Sequence, residues 1–260
     1  MTVHLLHIGK TGGTAIKSAL RGARLAYFKE DDPDEFPQTP YGGIRLHDHG
    51  FFLEHVPPGD HAIFFVRDPI SRMISGFQSR LNRGQPRYYS EWSPGERRTF
   101  EAFPTPQRLA HALLSDDPDQ RALAQRSMRH IKHLRFMQRF TGPPQYVRAR
   151  LDQILYIGRQ ETLDTDWRQI KRLLKLPSNL ELPTDPVRAH RRPPHDRPQL
   201  DAVAVAALRD WYARDYRLVE YCEEVRAERG WGTHVRFPSL DWLRLRAGVG
   251  PHSDHRLGRR

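Results

Sequence analysis

Two short apolar runs, each breaking at once into a turn suited to a helix start, constrain this 260-residue chain more than any other feature. The first, Val3-His4-Leu5-Leu6-His7-Ile8, leads into Gly9-Lys10-Thr11-Gly12-Gly13-Thr14 and then Ala15-Ile16-Lys17-Ser18-Ala19-Leu20. That order predicts strand, glycine-rich turn, helix. The second, Ala62-Ile63-Phe64-Phe65-Val66, ends in Arg67-Asp68-Pro69. Aspartate is a strong N-cap and proline is preorganised for the first helical position, so a helix is expected from there to about Asn82. Two such units in succession imply an α/β chain with a parallel sheet and helices on its faces.

The rest of the chain extends that plan. Residues 94–140 contain no convincing strand; Glu96–Phe103, Gln107–Leu114 and Pro118–Phe140 carry helical spacing of apolar residues between proline breaks. A third short strand is expected at Ile154–Gly158, with a helix from about Asp164 to Leu174. The proline-rich stretch from Leu182 to Pro198, with His190-Arg191-Arg192, reads as a crossing loop, and a helix or helix pair as spanning Leu200–Arg229. No repeat or linker divides the chain. One domain over 1–231 is therefore expected, followed by a basic, partly disordered tail over 232–260 that holds six arginines against two aspartates.

Composition excludes several classes. The longest apolar runs fall far short of the roughly 20 residues that span a bilayer. Residues 3–8 read as a strand and not as part of a signal peptide, so a cytoplasmic location is expected. A single cysteine, Cys222, precludes an internal disulfide and any multi-cysteine zinc site. The net charge is +11, and only six of the 42 basic residues are lysines. Such an excess suits nucleic acid, an anionic surface or an anionic ligand, and by itself does not choose among them.

The first turn narrows that choice. Bare backbone N–H groups at a helix N-terminus, with a lysine close by, are the parts of a phosphate cradle. Residues 9–14 supply both, yet a Walker A loop ending at Gly9-Lys10-Thr11 would need glycine where His4 stands. Arg67 closes the second strand, and Ser71, Ser75 and Ser79 share one face of the helix that follows. Both sets can reach the crevice where open α/β sheets bind ligands.

Residues His7 to Thr14 resemble the H-x-x-K-T-G-G-T phosphosulfate loop of sulfotransferases, and Arg67 to Phe77 resemble their R-D-P-x-x-R-x-x-S-x-F motif. The likeness is nearest to the carbohydrate-type and bacterial members, and the middle helices share little of it. It implies a P-loop-like three-layer fold with helical insertions. It also implies 3′-phosphoadenosine 5′-phosphosulfate (PAPS) as donor and an acceptor hydroxyl or amine; charge alone, in the arginines named below, points to the hydroxyl of a saccharide or another polyhydroxylated metabolite. By position, Lys10, Thr11, Gly12, Gly13, Thr14 and Ala15 would hold the phosphosulfate, and Arg67 and Ser75 the 3′-phosphate. Gly158 to Glu161 and His190 to Arg192, Arg191 among them, sit where the family often places later contacts. Many members carry proline where this chain has Gly9, a departure expected to loosen the turn.

A base must still take the acceptor's proton. His47-Asp48-His49 resembles the H-G-H of uronosyl 2-O-sulfotransferases, whose second histidine is the base, so His49 maps to that role and His47 is the alternative. On a strand the two would share a face. A metal site built on His47, His49 and His55 lacks a third ligand at a recognised spacing, and no metal is expected. His130 and His133, with Arg126 and Arg129, read as an exposed or substrate-facing helix face. Arg80, Arg83, Arg87, Arg126 and Arg129 suggest an acidic or polyhydroxylated acceptor. Two other functions remain open: a P-loop-type kinase with Thr11 on magnesium, and a non-enzymatic polyanion binder acting through the tail. No module specific for nucleic acid is present.

Overall fold

The computed structural model describes residues 1–185 and 200–232. Arg191 and most of the 232–260 tail therefore lie outside the described residues. Four strands, β1 (Thr2–Leu5), β2 (Gly43–Leu46), β3 (His61–Val66) and β4 (Ile154–Arg159), form one sheet in the order β2-β1-β3-β4. Every neighbouring pair is parallel. The strand β2, which the apolar pattern left unassigned, takes the edge beside β1, with Leu5 opposite Leu46.

Alternation along β3 builds the layers. Ala62, Phe64 and Val66 face one core with Leu218, Val219 and Cys222, while Ile63 and Phe65 face another with Ile16, Leu20 and Trp167. The first face is covered by α10 (Ala213–Glu228), the second by α1 (Gly13–Gly22) and α8 (Leu163–Leu173). Strands buried on both sides are why the sequence shows unbroken apolar runs there. Gly158 stands opposite Phe65 because a Cβ there would lie 2.1 Å from the phenyl ring.

A third cluster unites α2 (Pro69–Leu81) with α3 (Pro94–Ala102), α4 (Pro106–Ala112), α5 (Pro118–His130) and α9 (Ala202–Trp211), through Phe77, Phe100, Leu109, Met128 and Leu208. This is the helical insertion. Asp68 caps α2 by accepting from the Ser71 N–H at 2.7 Å, as its place before proline predicts.

One expected helix is broken. The pattern over 118–140 predicts a continuous helical stretch, whereas α5 stops at His130 and a short α6 (Gln138–Thr141) begins after a gap of seven residues, ahead of α7 (Pro144–Ala149). Tertiary partners hold the gap open. The fully buried Asp215 carboxylate accepts from the Met137 and Gln138 N–H groups (2.7 and 3.1 Å), and the Arg72 guanidinium donates to the Arg135 carbonyl at 2.7 Å. Among the described residues no helix is long and apolar enough to cross a membrane.

Candidate active site

Strand order sets the position of the site. The chain leaves β1 toward β2 on one side and returns to β3 on the other, so the carboxyl ends of β1 and β3 flank a switch point. A cleft of about 1100 Å³ opens there. Its walls include Lys10, Gly12 to Ala15, His49, Arg67, Ser71, Ser75, Ser79 and residues 160–165. It continues past Gln78 and Asn82 to Arg87 and Tyr88.

The turn after β1 is strained and braced. Gly12 has φ 95°, the left-handed region where a side chain is costly, and Lys10 takes φ 70° despite being no glycine. Arg67 Nη1 donates to the Lys10 carbonyl at 3.0 Å, and Arg72 Nε to the Gly9 carbonyl at 2.9 Å. Both arginines belong to the second unit, so the two motifs form one piece. The first turn of α1 has no acidic residue and Gly12 offers no capping side chain, which leaves its positive end open to an anion. At α2 the Asp68 carboxylate already fills that place.

Arg67 Nη2 donates to Ser71 Oγ at 2.9 Å, and Ser75 lies one turn further along the cleft. Thr11 is turned inward: it is buried, outside the cleft lining, and its hydroxyl donates to the Ile8 carbonyl at 2.8 Å. Glu161 accepts from the Asp68 N–H at 3.0 Å and pairs with the buried Arg159, joining the loop after β4 to the second motif.

Three histidine rings line the cleft. His49 lies 4.3 Å from His7 and 5.5 Å from His133, measured between ring centres. Its Nδ1 is 3.2 Å from the His7 carbonyl oxygen, which only accepts, so Nδ1 carries the proton and Nε2 a lone pair. Burial, reinforced by Lys132, lowers the His49 pKa to about 4. Burial and Lys10 take His133 to about 2, and His7 is held well below the usual range, first by burial and then by Lys17. All three are neutral at pH 7. Gly9 fits among them, since a Cβ there would come within 3.0 Å of the His133 ring and 3.2 Å of the His49 ring.

The structure separates residues that the sequence grouped. His47 and His49 lie beyond the end of β2 and share no strand face; His47 is absent from the cleft lining and stacks on Phe51 at 3.5 Å. The break after α5 puts His130 outside, while His133 turns inward. Arg80 is buried and paired with Glu96 through two hydrogen bonds, so it offers nothing to a ligand. Arg87 does line the cleft. Arg72 stood inside the recognised motif but carried no assigned role, and His133, grouped by spacing with His130 on one helix face, gave no sign that it alone would turn toward His49. Among the described residues no group of three or more His, Cys, Asp or Glu side chains is placed to hold a metal ion.

Residues 2–222 match the model of a family described as the sulfotransferase family. A search of curated proteins finds no match.

Proposed function

Because the chain belongs to the sulfotransferase family, we propose that it moves the sulfuryl group of PAPS to an acceptor hydroxyl, with His49 as the base. The observation that carries this reading is the convergence of Lys10, the uncapped start of α1, Arg67, Ser75 and the neutral His49 ring on one cleft. The cradle fits two separate anionic groups. Lys10 and the first N–H groups of α1 would hold the phosphosulfate end, with Gly12, Gly13, Thr14 and Ala15 giving it a close approach to the backbone. Arg67 and Ser75 would hold the 3′-phosphate. When bound, the donor supplies an electrophilic sulfur and a nucleotide leaving group.

The chain's own residues do the rest. Lys10 offsets negative charge developing at the leaving oxygen, and the Nε2 lone pair of His49 accepts the acceptor's proton. A low proton affinity, set by burial and Lys132, keeps that nitrogen free at neutral pH. Gln78, Ser79, Asn82 and Tyr88 at the far end suit the hydroxyls and ring face of a saccharide or similar polyhydroxylated acceptor. We assign residues 1–231 to the catalytic domain and 232–260 to a basic tail, and place the activity in the cytoplasm. The kinase reading is disfavoured, because the Thr11 hydroxyl it needs on magnesium is turned into the core.

The test is calorimetry with adenosine 3′,5′-bisphosphate, followed by a labelled-donor transfer assay over saccharides, lipids and small alcohols. Binding lost in Lys10→Ala but kept in His49→Ala, with turnover lost in both, is the expected result. A folded parent protein that ignores the nucleotide would sink the proposal.

A further inference from the structure

His4 is a polar residue at the centre of an apolar strand, between Val3 and Leu5, and it is only 2% exposed. The imidazoles of His4 and His47 are buried among apolar side chains and the Asp60 carboxylate is partly exposed beside them, an arrangement that costs free energy unless each polar group finds a partner. Here each does. His4 Nε2 lies 3.1 Å from Asp60 Oδ2, and His4 Nδ1 lies 2.8 Å from His47 Nε2. Asp60 is fixed in turn by the Thr2 N–H, which donates to Oδ1 at 2.8 Å. The Phe51 ring stacks on His47 at 3.5 Å and on His4 at 5.2 Å.

The order of protons follows from the partners. An ionised Asp60 only accepts, so His4 donates from Nε2 and its Nδ1 holds a lone pair. His47 must then donate from Nε2. The far end of this row is the turn that carries His49. Lys17 Nζ donates to the His47 carbonyl at 3.1 Å, and His49 Nδ1 donates to the His7 carbonyl. The turn is thus clamped at both of its histidines, with Asp48 between them.

We propose that Asp60, His4 and His47 form a positioning chain, buried at its two histidines, that holds the His47–His49 turn so that the Nε2 lone pair of His49 faces the cleft; this rests on the base role given to His49 above. None of the three lines the cleft, so none touches the reacting atoms. They act through His49, and that function is distinct from the nucleotide cradle.

Asp60→Ala separates the two functions. It is expected to lower kcat about tenfold to a hundredfold, the cost of a slightly misplaced catalytic group. The Kd for adenosine 3′,5′-bisphosphate should stay within about twofold. Asp60→Asn keeps an oxygen that accepts from His4 Nε2 and should return most of the rate. Histidine ring ¹⁵N spectra test the order without turnover: the parent should carry its proton on Nε2 at His47 and on Nδ1 at His49, and Asp60→Ala should show His49 as a mixture. An unchanged kcat in Asp60→Ala overturns the proposal, as does a loss of kcat matched by an equal loss of nucleotide affinity. A parent spectrum with His47 protonated on Nδ1 alone also overturns it. If Asp60→Ala does not fold, the parent spectrum and Asp60→Asn decide. A parent that transfers no sulfuryl group defeats the base reading alone, and the spectra still test the chain.

Discussion

Arg72→Met is the most informative single perturbation, because Arg72 carries no assigned ligand contact and yet joins the two motifs. Its guanidinium is 1% exposed and donates to the Gly9 carbonyl at 2.9 Å and the Arg135 carbonyl at 2.7 Å. Methionine keeps the aliphatic stem and removes both donors. A hydrogen bond involving a charged group contributes about 1.5–3 kcal/mol, and a buried carbonyl left unpaired costs about 1–3 kcal/mol. Against this, the variant no longer desolvates a guanidinium, which offsets part of the loss. The net expectation is a destabilisation of about 2–4 kcal/mol, read from the urea midpoint at constant slope. Gly9 adjoins the strained Lys10, so the loosened turn should also weaken adenosine 3′,5′-bisphosphate about tenfold, or about 1.4 kcal/mol. Arg72→Lys, with one donor group in place of a fork, should fall between. If Arg72→Met unfolds within about 0.5 kcal/mol of the parent and binds the nucleotide equally well, the idea that this arginine braces the turn is wrong.

Lys10→Ala should lower kcat at least about a hundredfold, since Lys10 lines the cleft; a labelled-donor transfer assay checks this, and a loss of less than about twofold would remove Lys10 from the charge-stabilising role. Stability should rise with pH between about 4 and 6.5. Burial depresses His4, His7, His47 (to about 3), His49 (to about 4) and His133 (to about 2), so within that window the unfolded chain binds protons that the folded one does not. The contribution is complete above the unfolded value near 6.5 and is lost on acidification; equal urea midpoints at pH 5 and pH 7.5 would contradict it. Gly158→Ala should destabilise by about 1–3 kcal/mol or prevent folding, because its Cβ would overlap the Phe65 ring; an unchanged melting temperature would show that β3 and β4 separate freely.

Local pattern alone carried the reading of the parallel α/β class, the glycine turn, the Asp68 cap and the serine face of α2. Each depends on residues within a turn or two of one another, where periodicity, capping and backbone preference act directly. Ser71, Ser75 and Ser79 do line one cleft, as residues four apart on a helix must. Less was legible where helical spacing met a tertiary override, as at 131–137, where Asp215 and Arg72 from distant helices hold the backbone open.

The tertiary structure alone decided which histidines face the cleft and what the arginines do. His47 and His49 are two residues apart in sequence and look equivalent; one is drawn to His4 and Phe51, the other to the His7 carbonyl 42 residues away. Arg72 reaches Gly9 across 63 residues. Those partners exist only once β1 sits between β2 and β3. Sequence spacing specifies which way a side chain leaves its own element, whereas the strand order specifies what it meets. The positive charge noted at the outset divides the same way: Lys10 and Arg87 line the cleft, while Arg72, Arg80, Arg159 and Arg226 are buried as structural braces.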